Sequence, residues 1–287
     1  MKVEILEPSG YCVGVEHAMK VAIETKDKNP SRNVVVLGML VHNQDSLKEL
    51  EKHGIKTIYK QNCSLEQLVN EIREPSIVIL TAHGHAKSVE EKLLKNGHQI
   101  VDATCPFVKQ SFVSILKAIE SGKDVLYIGV KNHPEAVAAL SLSDKVHLID
   151  IKEGITNSCS FESPTVISQT TLSRFEVANL CEDIKANYPN AEFLEGICNA
   201  STKRQEALMN LSDDIDLIYI VGGSNSNNSK TLFNIASKLY PNKQVKLIQN
   251  ANDINKKDLK GLSHIAISSG ASTPKEVINE IKDKLLN

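Results

Sequence analysis

The sequence predicts an α/β protein built from three copies of one small fold, and two observations carry that prediction. Short apolar runs alternate along the chain with amphipathic segments, which is typical of βαβ units and parallel sheets. In addition, Cys12, Cys105 and Cys198 follow one another at intervals of 93 residues. Each of them ends a short strand-like run and opens a helical pattern. One cysteine at the same place in each third of the chain indicates a triplicated unit.

The predicted strands are near-continuous β-branched or apolar runs, which suit parallel strands buried on both faces. They cover residues 34–37, 77–80, 125–128, 165–167, 215–221 and 265–267. The predicted helices between them cover residues 15–25, 44–53, 107–121, 172–188, 202–211, 230–239 and 274–286. Every predicted strand leads into a polar loop. Because ligands of parallel sheets bind beyond the carboxyl ends of the strands, these loops are the candidate site.

The cysteines also set the predicted domain boundaries. The three copies run from 13 to 104, from 105 to 196 and from 197 to 287. The N-terminal segment 1–12 is expected to complete the third copy, which otherwise lacks the strand that precedes a cysteine in the other two. We therefore expect three small domains around one junction.

Composition excludes several classes of partner. The 287 residues carry a formal net charge of −2, so the chain lacks the basic footprint of a protein that binds nucleic acid or an anionic membrane surface. No apolar run approaches the ~18 to 20 residues that cross a bilayer, and no signal-peptide pattern opens the chain. A cytoplasmic protein is the prediction. In that reducing compartment the six cysteines are expected to be ligands, nucleophiles or core residues rather than disulfides.

The three spaced cysteines predict a metal centre. A thiolate at a helix N-terminus is stabilised by unpaired backbone N–H groups and the helix dipole. No C-x-x-C pair is present, which argues against a zinc finger. A cubane iron–sulfur cluster normally takes four thiolates, so three would leave one iron open to a substrate oxygen. The alternative is three small buried core residues, which the equal spacing disfavours. Cys63, Cys159 and Cys181 lack this context and are predicted to be core or surface residues.

The loops after the strands predict an anion site. His42, His83 and His133 each directly follow an apolar strand. The corresponding loops of the third copy carry the small donors Ser226, Asn228 and Ser272. Histidines, hydroxyls and helix N-termini can bind phosphate without a lysine cluster, and so many donors fit a diphosphate. A capping role is the alternative for any one histidine.

One acid stands among these loops. Glu135 is the only carboxylate in the loop motifs, so it is the predicted proton donor, with a pKa raised by partial burial. The alternative is a first-turn glutamate that interacts with the helix dipole. The hydroxyl of Thr170 suits a relay between Glu135 and a substrate hydroxyl. Thr170 could equally be the N-cap of a helix that begins near Leu172.

Taken together, these motifs resemble the IspH or LytB family, the reductases of the methylerythritol-phosphate isoprenoid route. The resemblance covers nearly the whole chain and rests on G-Y-C-V-G-V, V-H-N, T-A-H-G, D-A-T-C-P, N-H-P-E, S-Q-T-T-L-S, G-I-C-N-A-S-T-K-R-Q, G-G-S-N-S-N-N-S and S-S-G-A-S-T-P. It implies a pseudo-threefold trefoil of three α/β domains around a central [4Fe–4S] cluster. It also implies reductive dehydroxylation of (E)-4-hydroxy-3-methylbut-2-enyl diphosphate to isopentenyl and dimethylallyl diphosphate, with electrons from a donor such as ferredoxin or flavodoxin.

The resemblance assigns roles to positions of this sequence. Cys12, Cys105 and Cys198 match the cluster ligands, one iron being left open. Glu135 matches the proton source and Thr170 the threonine that binds the substrate hydroxyl. The expected substrate-binding residues are His42, His83, His133, Thr170, Ser226, Asn227, Asn228 and Ser272.

Three positions depart from the family pattern. Ala136 to Ala139 replace the usual Val-x-Gly after Glu135, Asn227 stands where a smaller Ser or Gly is usual, and His85-Ala86 replaces Val-Ser. These departures put local shape in doubt rather than the chemistry. Two alternatives stay open, a quinolinate synthase-like enzyme with three domains and three cluster cysteines, and a non-enzymatic iron–sulfur sensor.

Overall fold

The computed structural model describes residues 1–156 and 161–287, so Cys159 lies outside the described residues. It confirms the α/β class, with three small parallel sheets. The chain falls into two compact units. The first comprises residues 1–16, 42–48 and 198–287, and the second comprises residues 17–41 and 49–197.

The strands are β1 (Lys2–Ile5), β2 (Val34–Leu37), β3 (Lys56–Ile58), β4 (Ile77–Leu80), β5 (Gln99–Asp102), β6 (Val125–Gly129), β7 (Val146–Asp150), β8 (Thr165–Ser168), β9 (Glu192–Phe193), β10 (Leu217–Val221), β11 (Gln244–Ile248) and β12 (His264–Ser269). The helices are α1 (Val13–Lys28), α2 (Gln44–Lys52), α3 (Leu65–Val69), α4 (Lys87–Lys95), α5 (Pro106–Glu120), α6 (Pro134–Leu140), α7 (Arg174–Asn187), α8 (Asn199–Met209), α9 (Asn227–Leu239) and α10 (Lys275–Leu286). Short 3₁₀ turns cover Ala251–Asp253 and Lys256–Leu259.

All three sheets have the same strand order. In the second unit the orders are β3-β2-β4-β5 and β7-β6-β8-β9, and in the first unit the order is β11-β10-β12-β1. Every pairing is parallel. The N-terminal strand β1 occupies the same edge as β5 and β9, pairing with β12 from Lys2 with His264 to Ile5 with Ile267. In each sheet a cysteine therefore follows that edge strand.

The central strands are buried on both faces, as their apolar runs predict. In the first unit Tyr219 of β10 packs with Ile278 and Ile281 of α10, while Ile218 and Ile220 face the other side. That other side is covered by α8 and α9. In the second unit the two faces of β6 pack in the same way against α5 and α6 on one side and α7 on the other. None of the helices in the described ranges has the length and apolarity to span a membrane.

Several helices begin earlier than predicted, and several short elements were not predicted. Helices α8 and α9 begin three residues earlier than predicted, at Asn199 and Asn227. Their first turns are polar and carry no apolar periodicity, although those turns hold candidate site residues. Helices α3, α4 and α6 and strands β3, β7, β9 and β11 were not predicted. They are short or lie at sheet edges, so their apolar patterns are weak.

Candidate functional site

The carboxyl ends of equivalent strands carry the candidate residues. The first central strand of each sheet leads to His42, His133 and Ser226. The second leads to His83, Thr170 and Ser272, and the edge strand leads to Cys105, Cys198 and Cys12. Because the sheets share one strand order, the edge strand supplies a cysteine in every copy, and the two central strands supply a histidine or a hydroxyl side chain.

Each of the three cysteines stands at the start of a helix. Cys105 and Cys198 are the N-cap residues of α5 and α8. The carbonyl oxygen of Cys12 accepts a hydrogen bond from the Glu16 N–H of α1 at 2.9 Å, the pattern of an N-cap. All three are half-buried, and no disulfide joins cysteines of the described ranges. Each of the three thiols therefore lies at the positive end of a helix dipole.

In the first unit, Asn228 connects the loops of the two cysteines. Its Nδ2 donates to Ser201 Oγ at 3.1 Å, and its Oδ1 accepts from the Ala271 N–H at 3.0 Å. Ser201 Oγ lies 3.2 Å from Cys198 Sγ. Since that oxygen accepts from Asn228, its own proton is available to the sulfur. The Cys12 N–H donates to the Ala271 carbonyl at 3.0 Å, so one chain of hydrogen bonds runs from Cys198 to Cys12.

The first turn of α9 is fixed by its own polar side chains. Ser226 is the N-cap and accepts from the Ser229 N–H at 3.3 Å. A Cβ atom at either Gly222 or Gly270 would collide with the buried Ser229 hydroxyl, so close approach requires glycine at both. Ser226 and Asn228 are buried, and Asn227 is half-buried.

His42 lies in the segment of residues 42–48 of the first unit. Burial lowers the pKa of His42 to about 4, and the positive charge of Lys230 acts in the same direction. A Cβ atom at Gly223 would approach the His42 carbonyl at 2.9 Å. His42 is therefore neutral near pH 7, and it lies beside the loop that opens α9.

The second unit contains the acid. Glu135 is 1% exposed. Its Oε1 accepts from the Thr170 N–H at 2.8 Å and from the Tyr127 hydroxyl at 3.2 Å, while its Oε2 accepts from the Thr170 hydroxyl at 2.8 Å. Burial raises the pKa of Glu135 to about 7 against the opposing effect of these hydrogen bonds. A carboxyl group with that pKa can hold and release a proton near neutral pH.

The same unit places two histidines beside the acid. His133 is the N-cap of α6, and its Nδ1 accepts from the Glu135 N–H at 3.2 Å. The proton of a neutral His133 therefore lies on Nε2, which leaves that nitrogen as a donor. The rings of His83 and His133 meet edge to face with centroids 5.7 Å apart. Thus His83, His133, Glu135 and Thr170 belong to neighbouring loops of one unit.

The hydrogen bonds bear on the capping alternatives for Thr170 and Glu135. Helix α7 is capped by Ser173, which accepts from the Glu176 N–H, so the alternative that Thr170 caps this helix is wrong. Glu135 does lie in the first turn of α6, but its carboxylate is buried against Tyr127 and Thr170. His85, to which no role was given, contacts Glu90 at 2.6 Å.

Sequence analysis missed Tyr127, Ser201 and Arg204. Tyr127 lies inside the apolar run of β6, where its hydroxyl was read as part of the core. Ser201 and Arg204 lie within the motif after Cys198 but received no role. The available signal was their spacing, since positions three and six residues beyond an N-cap fall within the first two helical turns.

The departures after Glu135 fit the local packing. Ala136 and Ala138 are fully buried. A Cβ atom at Gly129 would lie 3.2 Å from the Ala136 Cβ, and one at Gly84 would lie 3.5 Å from the Ala138 Cβ. Both alanines therefore lie close to a glycine backbone, Ala136 beside Gly129 and Ala138 beside Gly84.

Residues 3–286 match the family described as LytB protein. A 4-hydroxy-3-methylbut-2-enyl diphosphate reductase of Malacoplasma penetrans is 36% identical over 98% of this chain and 96% of its own length. One of Caldanaerobacter subterraneus is 34% identical over 99% and 96%, respectively. The solved (E)-1-hydroxy-2-methyl-but-2-enyl-4-diphosphate reductase of Plasmodium falciparum is 28% identical, with a TM-score of 0.88 over 100% of this chain and 88% of that one. A second solved structure, the terminal enzyme of the non-mevalonate pathway, is 29% identical with a TM-score of 0.69, covering 100% of this chain and 99% of that one.

Proposed function

The chain belongs to the LytB protein family, and from that premise we propose how its residues remove a hydroxyl group reductively from an allylic diphosphate. The activity is that of a 4-hydroxy-3-methylbut-2-enyl diphosphate reductase, an oxidoreductase and the last enzyme of the non-mevalonate route to isoprenoids. The family match favours this activity over a quinolinate synthase-like enzyme or a sensor. The products are isopentenyl and dimethylallyl diphosphate.

The family implies an iron–sulfur cofactor, and the proposed form is a [4Fe–4S] cluster held by Cys12, Cys105 and Cys198. The donor set fits, because three half-buried thiols at helix N-termini suit anionic ligands. When bound, the cluster supplies electrons and an open iron for the substrate oxygen. Ser201 is available to donate to the Cys198 sulfur, which would hold that ligand in place.

The substrate-binding residues are proposed to divide by chemistry. His42, His83 and His133 with Ser226, Asn227, Asn228 and Ser272 bind the diphosphate. Their support is that they occupy equivalent loops at the carboxyl ends of the strands. Neutral imidazoles and hydroxyls donate single hydrogen bonds to phosphate oxygens, and the N-terminus of α9 adds its N–H groups.

Glu135 and Thr170 are proposed to deliver the proton. With Glu135 ionised, the Thr170 hydroxyl donates to Glu135 Oε2 at 2.8 Å. When Glu135 is protonated, its O–H can donate to Thr170 Oγ across the same contact, and the Thr170 hydroxyl can then donate to the substrate hydroxyl. As Thr170 gives its proton to the leaving oxygen it takes the proton of Glu135, and that oxygen departs as water. The observation that carries this proposal is the buried carboxyl group with a pKa of about 7, joined to Thr170 by two hydrogen bonds.

Other expectations stay predictions. They are a ferredoxin or flavodoxin electron donor, a cytoplasmic location, the absence of nucleic acid and membrane partners, and the division into copies 13–104, 105–196 and 197–287 completed by 1–12. The shared strand order of the three sheets supports that division. The trefoil arrangement around a central cluster is part of the proposal.

The test is anaerobic reconstitution with iron and sulfide, followed by turnover of the hydroxylated allylic diphosphate with a chemical reductant. We expect a brown protein with close to four irons per chain, and isopentenyl and dimethylallyl diphosphate as products. A reconstituted protein that consumes reductant but forms neither product would contradict the proposed reaction. A colourless protein without bound iron would contradict the cofactor.

A further inference from the structure

Arg204 is a buried cation in the first unit. It lies in α8 and is 2% exposed. Its Nη2 donates to the Gly10 carbonyl at 2.7 Å and its Nη1 to the Ala200 carbonyl at 3.1 Å. Within residues 1–156 and 161–287, Arg204 forms no ion pair with a carboxylate. Because a buried charge is costly unless an anion balances it, the guanidinium group requires another source of negative charge.

The two carbonyl groups show which segments surround the guanidinium group. Gly10 is two residues before Cys12, and Ala200 is two residues after Cys198. Burial lowers the pKa of Arg204, while negative charge on Cys12, Cys198 and Glu7 acts in the opposite direction, with the two cysteines ahead of Glu7. The guanidinium group therefore lies between the backbone segments that carry two of the predicted cluster ligands.

Backbone groups of the segment before Cys12 also bond to the end of β12 and to the loop after it. The Gly10 N–H donates to Ser269 Oγ at 3.3 Å, and the Cys12 N–H donates to the Ala271 carbonyl at 3.0 Å. Arg204 adds the link from this segment to α8, on whose N-terminus Cys198 stands. One buried cation thus contacts both backbone segments.

We propose that Arg204 positions Cys12 and Cys198 by bonding to the backbone of both segments, and that its buried charge raises the reduction potential of the cluster that the two cysteines hold. The last part rests on the proposed function, whereas the positioning rests on the hydrogen bonds of Arg204 to Gly10 and Ala200. Reduction adds negative charge to a cluster, and a nearby cation in a poorly solvated site stabilises the reduced form. Arg204 is a positioning residue, since it acts through the two cysteines.

The first experiment separates charge from hydrogen bonding. Arg204→Lys keeps the charge, and Arg204→Gln keeps donors without charge. Lys203→Gln removes an exposed cation from the same helix as a matched control. In redox titration of the reconstituted holoenzyme, we expect Arg204→Gln to shift the reduction equilibrium about tenfold toward the oxidised cluster, which is about 59 mV for one electron. Arg204→Lys should shift it less than about threefold. Wild-type potentials in both Arg204 variants, or equal shifts in both, would overturn the proposal.

The second experiment uses the cluster-free protein. Backbone hydrogen exchange of residues 9–12 is followed by mass spectrometry, with Lys203→Gln as the matched control. Because Arg204 bonds to the Gly10 carbonyl, exchange in this segment should be several-fold faster in Arg204→Gln and unchanged in Lys203→Gln. Wild-type exchange in Arg204→Gln would overturn the positioning role. If the wild type holds no cluster, the proposed function fails, and this second experiment still decides the role of Arg204.

Discussion

The two units of the molecule use their polar side chains differently. In the first unit, Asn228 bonds to Ser201 and to the backbone at Ala271, which links the segments of Cys198 and Cys12. In the second unit, the hydrogen bonds converge on one titratable group, Glu135, and its pKa is raised to about 7. The first arrangement fixes the backbone around two cysteines, and the second surrounds a carboxyl group that can hold a proton near neutral pH. The same strand order therefore supports a hydrogen-bonded cysteine pair in one unit and a buried acid in the other.

The largest effect is expected from the cysteines. Cys12→Ser, Cys105→Ser or Cys198→Ser should abolish both the brown chromophore and turnover, because two thiolates hold a cluster poorly. Iron and sulfide analysis after reconstitution measures this. Cys63→Ser and Cys181→Ser are the controls, since both side chains pack against apolar core clusters. Full cluster occupancy in Cys105→Ser would contradict the ligand assignment.

The next effect concerns the acid. Glu135→Gln keeps the size of the side chain but cannot supply the proton, so we expect a fall of about 10²- to 10⁴-fold in the chemical step with substrate binding retained. Thr170→Val should reduce the same step by a smaller factor. Single-turnover kinetics with the pre-reduced cluster removes electron supply from the measurement. Turnover within a few-fold of wild type in Glu135→Gln would return this residue to a helix-capping role.

A smaller effect, a loss of substrate affinity, is expected when the proposed diphosphate-binding residues are replaced. His42→Ala, His83→Ala and Ser272→Ala should each weaken substrate affinity by about 1 to 3 kcal/mol, the value of a hydrogen bond to a charged group. His85→Ala is the matched control, because His85 lies two residues from His83 and contacts Glu90 instead. Calorimetric titration of each reconstituted variant gives the affinity. Wild-type affinity in all three variants would place the diphosphate elsewhere.

The smallest effect is a shift in pH dependence. In the proposed mechanism protonated Glu135 is the acid, so single-turnover rates should be high below pH 7 and fall as pH rises through about 7. The Tyr127 hydroxyl lowers the pKa of Glu135, so Tyr127→Phe should move this fall to higher pH while reducing the rate only a few-fold. The falling limb should be absent in Glu135→Gln. A limb that stays in that variant belongs to another group.

The stability of the second unit should depend on the protonation of Glu135. Because the folded-state pKa of Glu135 is raised above its ordinary value, the folded state binds the proton more tightly than the unfolded chain. The contribution of this proton to the free energy of unfolding is therefore fully present below about pH 4.5 and is lost as pH rises through about 7. Glu135→Gln removes this dependence, which thermal unfolding of the wild type and the variant across that range would show.

Sequence alone determined the α/β class, the central strands and the equivalent loops that follow them. These features leave strong local signals, since buried parallel strands are continuous apolar runs and the 93-residue interval of the cysteines repeats. It also determined the family, through motifs that extend over nearly the whole chain. The assignments of Cys12, Cys105, Cys198, Glu135 and the diphosphate binders stay predictions drawn from those motifs.

Only the tertiary structure decided how the polar side chains pair. In the sequence, Tyr127 has the pattern of a core residue because it lies inside the apolar run of β6. Its hydrogen bond to Glu135 depends on which face of β6 it occupies. Arg204 reads as an ordinary helical cation until its partner is seen to be the carbonyl of Gly10, 194 residues away along the chain. The pKa of Glu135 likewise depends on burial and on Thr170, 35 residues away. Local sequence patterns record which residues are apolar and how they repeat, whereas charge compensation depends on contacts between distant segments, which only the folded chain brings together.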